Sequence, residues 1–231
     1  MTYGCTVLLS GGMDSVAALH WARARHHNLD AVFFDYGQAN RDAEIVAATR
    51  AARALEVPFD QYAILEAVRG HQALKPAPMG TGSTGVSLAF LPARNAVFLS
   101  CAAAHAAKRY GGQRVHLVVG CNKTDAERFP DCRSDFLSAT SQMLTFALAD
   151  VVRSVDVIPP WIARTKADVL RWAKAHDVVD AIEASVSCYA GTDCGACDAC
   201  ATRAAAFAEV GQREPVRLPL VMHGGDPSRA R

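Results

Sequence analysis

The sequence predicts an α/β fold, a doubly wound parallel sheet with a small cysteine-rich lobe toward its C-terminal end. Three observations predict it. Short apolar runs without polar alternation, such as Thr6–Leu9, Ala31–Phe34 and Val115–Val119, alternate with helical patterns along the chain, as parallel strands covered on both faces do. The first run ends in Ser10-Gly11-Gly12-Met13-Asp14-Ser15, a strand, a glycine turn and a helix start. Four cysteines, Cys188, Cys194, Cys197 and Cys200, crowd into one glycine-bearing stretch.

Length and composition bound the rest. A chain of 231 residues is one large domain, or one with a small appendage. The reading here is an α/β domain over 1–180, a cysteine lobe with a C-terminal helix over 181–215, and a tail over 216–231. With 51% apolar and 20% charged residues the chain can bury a sizeable core. A net charge of +1 gives no electrostatic case for duplex nucleic acid. No apolar run approaches membrane-spanning length, since even Ala96–Ala107 holds Ser100 and His105. Met1-Thr2-Tyr3-Gly4 lacks a basic signal region. The expectation is a cytoplasmic protein with no membrane or direct nucleic-acid partner, whose eight cysteines are thiols or metal ligands.

Taken in order, Thr6–Leu9 is the first strand and Asp14–Arg25 the first helix. The glycine pair between them lets backbone N–H groups turn toward an anion, and the helix adds the positive end of its dipole. Ser10 and Ser15 supply hydroxyls. Asp14 repels phosphate and is suited to holding Mg²⁺ or capping the helix. Ala31–Phe34 is the second strand, and the Asp35-Tyr36-Gly37-Gln38 turn after it lies at the carboxyl edge of the sheet, where ligands bind. Arg41–Leu55 is an alanine-rich helix with its charges on one side, and Gln61–Leu65 a third strand.

Residues 66–91 read as a long loop, either a lid or disordered, because prolines and glycines cluster there. Its literal GxGxxG at Gly80, Gly82 and Gly85 follows prolines instead of a strand and is discounted. Leu91-Pro92-Ala93-Arg94-Asn95 opens a helix to Tyr110, with Asn95 as N-cap and Arg94 as a candidate phosphate or carboxylate contact. Val115–Val119 runs into Gly120-Cys121-Asn122-Lys123-Thr124-Asp125 at the sheet's carboxyl edge. Phe129-Pro130-Asp131-Cys132-Arg133 follows, then a helix to Ala149 and a last strand, Val155–Ile158. Thr165 and Asp168 read as the cap of a helix over Lys166–His176.

The pattern C-x5-C-x2-C-x2-C, with Gly191 and Gly195 allowing tight turns, suits tetrahedral Zn²⁺. An iron–sulfur cluster is the chemical rival, and a redox pair would not need four thiols. Cys5 and Cys101 read as buried small hydrophobes.

SGGxDS behind a first strand resembles the PP-loop of the ATP pyrophosphatases, which split ATP into AMP and pyrophosphate. No Gly-Lys-Ser/Thr follows and the third glycine of a dinucleotide fingerprint is missing. In order, the loop, Asp35-Tyr36-Gly37-Gln38, Pro92-Ala93-Arg94-Asn95, Pro130-Asp131-Cys132-Arg133, the four cysteines, Arg203 and Phe207 resemble the QueC family, the 7-cyano-7-deazaguanine synthases, from Cys5 to Gly211. The resemblance implies a Rossmann-like, zinc-binding ligase of the PP-loop (HUP) type, commonly a homodimer. Such an enzyme turns 7-carboxy-7-deazaguanine, free ammonia and ATP into a nitrile for queuosine synthesis by adenylating the carboxylate.

Carried onto this chain, the resemblance assigns ATP to Leu9, Ser10, Gly11, Gly12, Met13, Asp14, Ser15, Val16, Ala17, Ala18 and Leu19, with Asp35 and Tyr36. It assigns the deazaguanine to Gln38, Arg94, Asn95, Asp125, Asp131, Cys132 and Arg133. Asp14, Ser15, Lys166 and Arg94 are expected to act in catalysis, with Mg²⁺ at the phosphates and Zn²⁺ on Cys188, Cys194, Cys197 and Cys200. Three features depart from the family: Ala93 stands where glycine is common, Glu127-Arg128 replaces a small stretch, and the first cysteine spacer is short. The second keeps a rival alive, a QueC-like enzyme that stops at the amide for DNA modification or joins a deazaguanine to a protein. A tRNA-thiolating enzyme lacks its RNA-binding appendage and reactive cysteines here. A zinc-bearing nucleotide-binding module is the non-enzymatic alternative.

Overall fold

The structure, a computed structural model, describes residues 3–64, 83, 86–87, 89–191 and 193–214. The loop expected over 66–91, its GxGxxG and the tail over 216–231 lie mainly or wholly outside these residues.

Five strands form one parallel sheet: β1 (Tyr3–Leu8), β2 (Leu29–Asp35), β3 (Phe59–Ala63), β4 (Arg114–Val118) and β5 (Ser154–Ile158). Their spatial order is β3-β2-β1-β4-β5. The chain winds outward from β1 to β3, then returns to the other side of β1, so the order reverses between β1 and β4. Val7 pairs with Ala31 on one side and Val118 on the other, which fixes the register across that reversal. The crevice above such a switch point is where open α/β sheets bind ligands.

Helices cover both faces. One core joins β1 and β2 to α1 (Met13–Arg23), α2 (Arg41–Ala54), α6 (Lys166–Ala175), α7 (Val179–Glu183) and α8 (Asp198–Glu209) through Val16, Leu19, Ala48, Leu170, Ile182 and Phe207. The other joins the sheet to α3 (Arg94–Arg109) and α5 (Ser134–Ala147) through Leu99, Ala103, Ala106, Leu137 and Leu144. Small alanines at these contacts let the helices lie close to the sheet. Cys5 is fully buried as expected, whereas Cys101 is only partly so.

A short helix that the sequence does not announce, α4, spans Lys123–Arg128; it is capped by Asn122, whose side chain accepts from Asp125 N at 3.0 Å while Asp125 Oδ2 accepts from Asn122 N at 3.3 Å. One local expectation is corrected. Asn95 is not the cap of α3. That position belongs to Ala93, in the left-handed region at φ 61°. Asn95 sits in the first turn, where its backbone N–H donates to Asp131 Oδ2 at 3.0 Å and its amide donates to Asp131 O at 2.9 Å. The acid that helps satisfy the helix start comes from the Pro130–Cys132 3₁₀ turn. The expected cap at Thr165 is present, with the reciprocal Thr165–Asp168 bonds.

Candidate active site

The loop between β1 and α1 depends on its glycines. Gly11 has φ +80°, and a Cβ there would lie 2.4 Å from Glu44 O and 2.9 Å from Ala48 N, so α2 packs against bare backbone. Gly120, at the end of β4, would place a Cβ 2.9 Å from Ser15 N. Gly12 is the N-cap of α1 and contributes no side-chain bond. Asp14 therefore lies inside the first turn and is not the cap. Ser15 Oγ donates to Gly12 O at 2.9 Å and stands 3.1 Å from Ser10 Oγ. Glycine conformation, close packing and uncapped N–H groups together make an anion cradle.

Lys166, the first residue of α6, forms an ion pair with Asp14 Oδ2. Burial works against the lysine's charge, but Asp14 and Asp125 outweigh it and hold the ammonium protonated. Asp14 Oδ1 is buried without a hydrogen-bond partner among the described residues. Burial raises the Asp125 carboxyl, helped by Asp14 and opposed by Lys166. An orphaned carboxylate oxygen beside a second carboxylate is a donor set that fits a hard cation such as Mg²⁺.

Two cavities open above the loop. The larger, about 300 Å³, has an apolar wall of Leu8, Leu9, Val32, Phe33, Phe34 and Phe98, and a polar wall that includes Arg94, Asn95, Cys121 and Cys132. The smaller, about 160 Å³, holds Lys166, Thr124, Arg128 and Ser187. Ser10, Gly12, Asp14, Glu44, Asp125, Phe129 and Tyr189 line both, so the cavities adjoin.

The residues singled out from the sequence take different places. Leu9, Ser10, Gly12, Asp14, Ser15, Tyr36, Gln38, Arg94, Asn95, Asp125 and Cys132 line the larger cavity, and Met13 the smaller. Val16, Ala17, Ala18 and Leu19 point into the core. Gly11 shapes the loop from behind. Asp35 holds its turn, accepting from Gly37 N at 3.1 Å and Arg41 Nε at 2.9 Å. Gln38 also braces it, accepting from Tyr36 N at 2.9 Å and donating to Phe34 O at 3.2 Å. Arg94 lies over the Tyr36 ring, 5.8 Å from its centroid. Asp131 is buried beside Asn95, behind the cavity wall. Arg133 is exposed, donates to Ala126 O at 3.4 Å and lines neither cavity.

The four cysteine sulfurs lie within 4.8 Å of one another, with Cys194 Sγ 4.0 Å from Cys200 Sγ. That spacing fits a single tetrahedral ion. A multi-iron cluster would hold its ligands apart by its own width. Backbone N–H groups of Ala196 and Cys197 bring the Cys194 thiol down to about 7, whereas burial raises the thiols of Cys188 and Cys200. Gly191 and Gly195 adopt φ +76° and +67° in the connecting turns. The cluster is tied to the cleft: Asn40 Nδ2 donates to Cys188 O at 3.1 Å, and Arg128 forms an ion pair with Asp198, the residue after Cys197. Buried Arg203 donates to Ser185 Oγ and Ile182 O, each at 2.9 Å, and so joins α8 to the segment leading into Cys188.

Sequence reasoning misses Glu44 and Tyr189. Glu44 belongs to the charged side of α2, and nothing in that helix pattern separates it from its solvated neighbours. Tyr189 borders the cleft because it adjoins Cys188, and adjacency to an expected metal ligand is the available signal.

A parallel sheet in this order, with a twin-glycine anion loop at its switch point, defines the PP-loop class of α/β proteins. The fold is similar to that of NMN synthetase from Francisella tularensis, with a TM-score of 0.51 and 16% identity, covering 91% of this chain and 78% of that one. The family model described as queuosine biosynthesis protein QueC matches residues 4–211. A 7-cyano-7-deazaguanine synthase from Laribacter hongkongensis is 37% identical over 221 residues, 91% of this chain and 92% of that protein. One from Thermosynechococcus vestitus is 34% identical over 235 residues, 96% of this chain and 97% of that protein. The chain belongs to the QueC family and is one of its enzymes.

Proposed function

We propose that this enzyme converts 7-carboxy-7-deazaguanine and ammonia into 7-cyano-7-deazaguanine, using ATP to activate the acid. The observation that carries the reading is the meeting of the two cavities at Ser10, Gly12 and Asp14, which gives room for a nucleotide and a second planar ring around one anion cradle. The adenine lies along the apolar wall at Val32–Phe34, near Tyr36. The phosphates bend over the Ser10–Ser15 loop toward Lys166. The deazaguanine takes the Asn95–Cys132 end of the larger cavity.

A carboxylate is a poor electrophile, and transfer of AMP to it creates a leaving group. Ammonia then gives the amide. A second activation, on the amide oxygen, allows loss of that oxygen and leaves the nitrile. Lys166 and the α1 N-terminus stabilise charge on the departing pyrophosphate. Mg²⁺, held by Asp14 and Asp125, would neutralise phosphate charge. Zn²⁺ on the four cysteines would be structural, fixing the segment that carries Tyr189 and Ser187 against the cleft.

The rival that stops at the amide draws on Arg128, since a free guanidinium in the site would favour an anionic acid over a neutral amide. Its pairing with Asp198 offsets that charge and favours the nitrile reading. The enzyme acts on small molecules without nucleic acid. Among the described residues no helix is long and apolar enough to cross a membrane. We place the enzyme in the cytoplasm as a homodimer, with the exposed Met143 and Phe146 on α5 as its apolar contact; sedimentation at graded concentration tests this. Phosphorus NMR of the reaction tests the activation step: AMP and pyrophosphate are expected, and ADP with phosphate as the sole products would overturn it.

A further inference from the structure

One carboxylate at the junction of the two cavities has no part in the reading above. Glu44, in the first turn of α2, is partly buried and lines both cavities. Asn40 Nδ2 donates to its Oε1 at 2.9 Å, and Gln38 Nε2 donates to its Oε2 at 3.0 Å. Two neutral amides thus fix the carboxylate in place, and among the described residues no cation forms an ion pair with it. The charged and titratable groups around it are Tyr36, Arg94 from α3, Asp14 from α1 paired with Lys166 from α6, Asp125 from α4, and Tyr189. Arg128 and Asp198, at the far side of the smaller cavity, pair with each other.

The proposed reaction has to dispose of protons. Adenylation of a carboxylate releases none: the acid's oxygen attacks the α-phosphorus and pyrophosphate leaves. Every later step releases one. Attack by ammonia on the acyl adenylate forms the C–N bond, expels AMP and must shed an N–H proton to give the amide. Attack by the amide oxygen on a second ATP expels pyrophosphate, and the nitrogen loses its next proton. Loss of the second AMP from that imidate forms the triple bond as the last N–H proton departs. All the hydrogens of ammonia therefore leave as protons, close to the α-phosphate. No histidine lines either cavity. Asp14 is held by Lys166, and Asp125 Oδ2 accepts the cap bond from Asn122.

We propose that Glu44 is the proton acceptor for the nitrogen chemistry of this reaction, an inference that rests on the synthase reading. Burial raises its carboxyl to about 7, against the bonds from Gln38 and Asn40, which suits a group that takes up and returns protons near neutrality. The carboxylate is the active form, so turnover rises with pH through that range.

The test is Glu44→Gln, close in volume and able to keep one of the two bonds from Asn40 and Gln38 through its amide oxygen. Acid-dependent exchange of labelled pyrophosphate into ATP, measured without ammonia, reports adenylation alone. The expected result is retained exchange, amide formation slowed about 100-fold or more in a single turnover, and loss of the acidic limb of the kcat profile, with partial recovery in Glu44→Asp. Exchange at the wild-type rate with amide formed equally fast would overturn the inference alone. Loss of exchange together with a raised KM for ATP would overturn it in favour of a purely structural Glu44. A wild-type enzyme with no acid-dependent exchange would overturn the synthase reading and the inference with it.

Discussion

Lys166 Nζ rests on the carboxylate of Asp14, tying the first residue of α6 to the first turn of α1 across 152 positions of sequence. The Thr165–Asp168 box sets where α6 begins and hence where the lysine emerges. The pair sits at the anion loop, with one Asp14 oxygen given to Lys166 and the other facing inward without a partner among the described residues.

Asp14→Asn removes the charge at nearly constant volume. Turnover should fall at least about 100-fold, because the carboxylate for a hard cation is lost. Stability should fall only by about 1–3 kcal/mol, the cost of weakening one part-buried pair. Steady-state kinetics with denaturant unfolding separates the two. A fully active variant would remove Asp14 from the mechanism.

Ala93 holds a left-handed backbone, φ 61°, at the N-cap of α3. That conformation costs an L-residue roughly 1–2 kcal/mol and glycine almost nothing. The gain is reduced by the larger unfolded-state entropy of glycine, about 0.4–1 kcal/mol. Ala93→Gly should therefore stabilise the enzyme by about 0.5–1 kcal/mol, read as a higher denaturant midpoint at unchanged slope. A lower midpoint would contradict the strain.

Cys197→Ser should lower bound metal and stability together. Cys197 is both a candidate ligand and the N-cap of α8, so α8, with Arg203 and Phe207, should loosen first. The sheet's other core, under α3 and α5, holds no residue of α8. Metal analysis of fresh protein should give about one zinc per chain, as a single set of four thiolates holds. Hydrogen exchange should show the loss confined near 186–214 and α7. Iron in place of zinc, or uniform loss of protection, would contradict this account.

Glu44 also links stability to pH. Its carboxyl is raised from 4.5 to about 7 in the folded protein, so the folded state binds that proton more tightly than the unfolded chain. The resulting stabilisation is complete below the unfolded value and is lost as pH rises toward 7, on the order of 1–3 kcal/mol. Between pH 5 and pH 8 the wild type should lose more stability than Glu44→Gln, and the difference cancels every other titrating group. An equal loss would show the carboxyl to be unshifted.

Much of the fold is legible in the sequence for physical reasons. Strands buried on both faces write continuous apolar runs, and β1, β2 and β4 fall nearly where those runs put them. The edge strand β3 lies two residues before its expected place, since only Phe59 of its five residues is even partly buried and Asp60, Gln61, Tyr62 and Ala63 are exposed. Asn122 and Asp125 have the same spacing as Thr165 and Asp168, yet only the second box stands out in the sequence. A six-residue helix has too little periodicity to announce itself.

The anion loop and the cysteine cluster are local, so they are visible. Partners distant in sequence are not. Lys166 reaches Asp14, Asp131 supports Asn95, and Asp198 takes the charge of Arg128. The same holds for fully buried Asp30, which accepts from Thr6 Oγ1 at 2.6 Å and meets His105 Nε2 of α3 at 2.6 Å. No spacing rule connects residues that only tertiary packing brings together.

On the proposed reading, one site activates an acid and then its own amide. Mass spectrometry of a prolonged reaction with 7-carboxy-7-deazaguanine, excess ATP and ammonia follows both rounds. The amide should rise and then disappear into 7-cyano-7-deazaguanine, with AMP released in both rounds. Amide that accumulates without nitrile would contradict that reading and assign the enzyme to a pathway that ends at the amide.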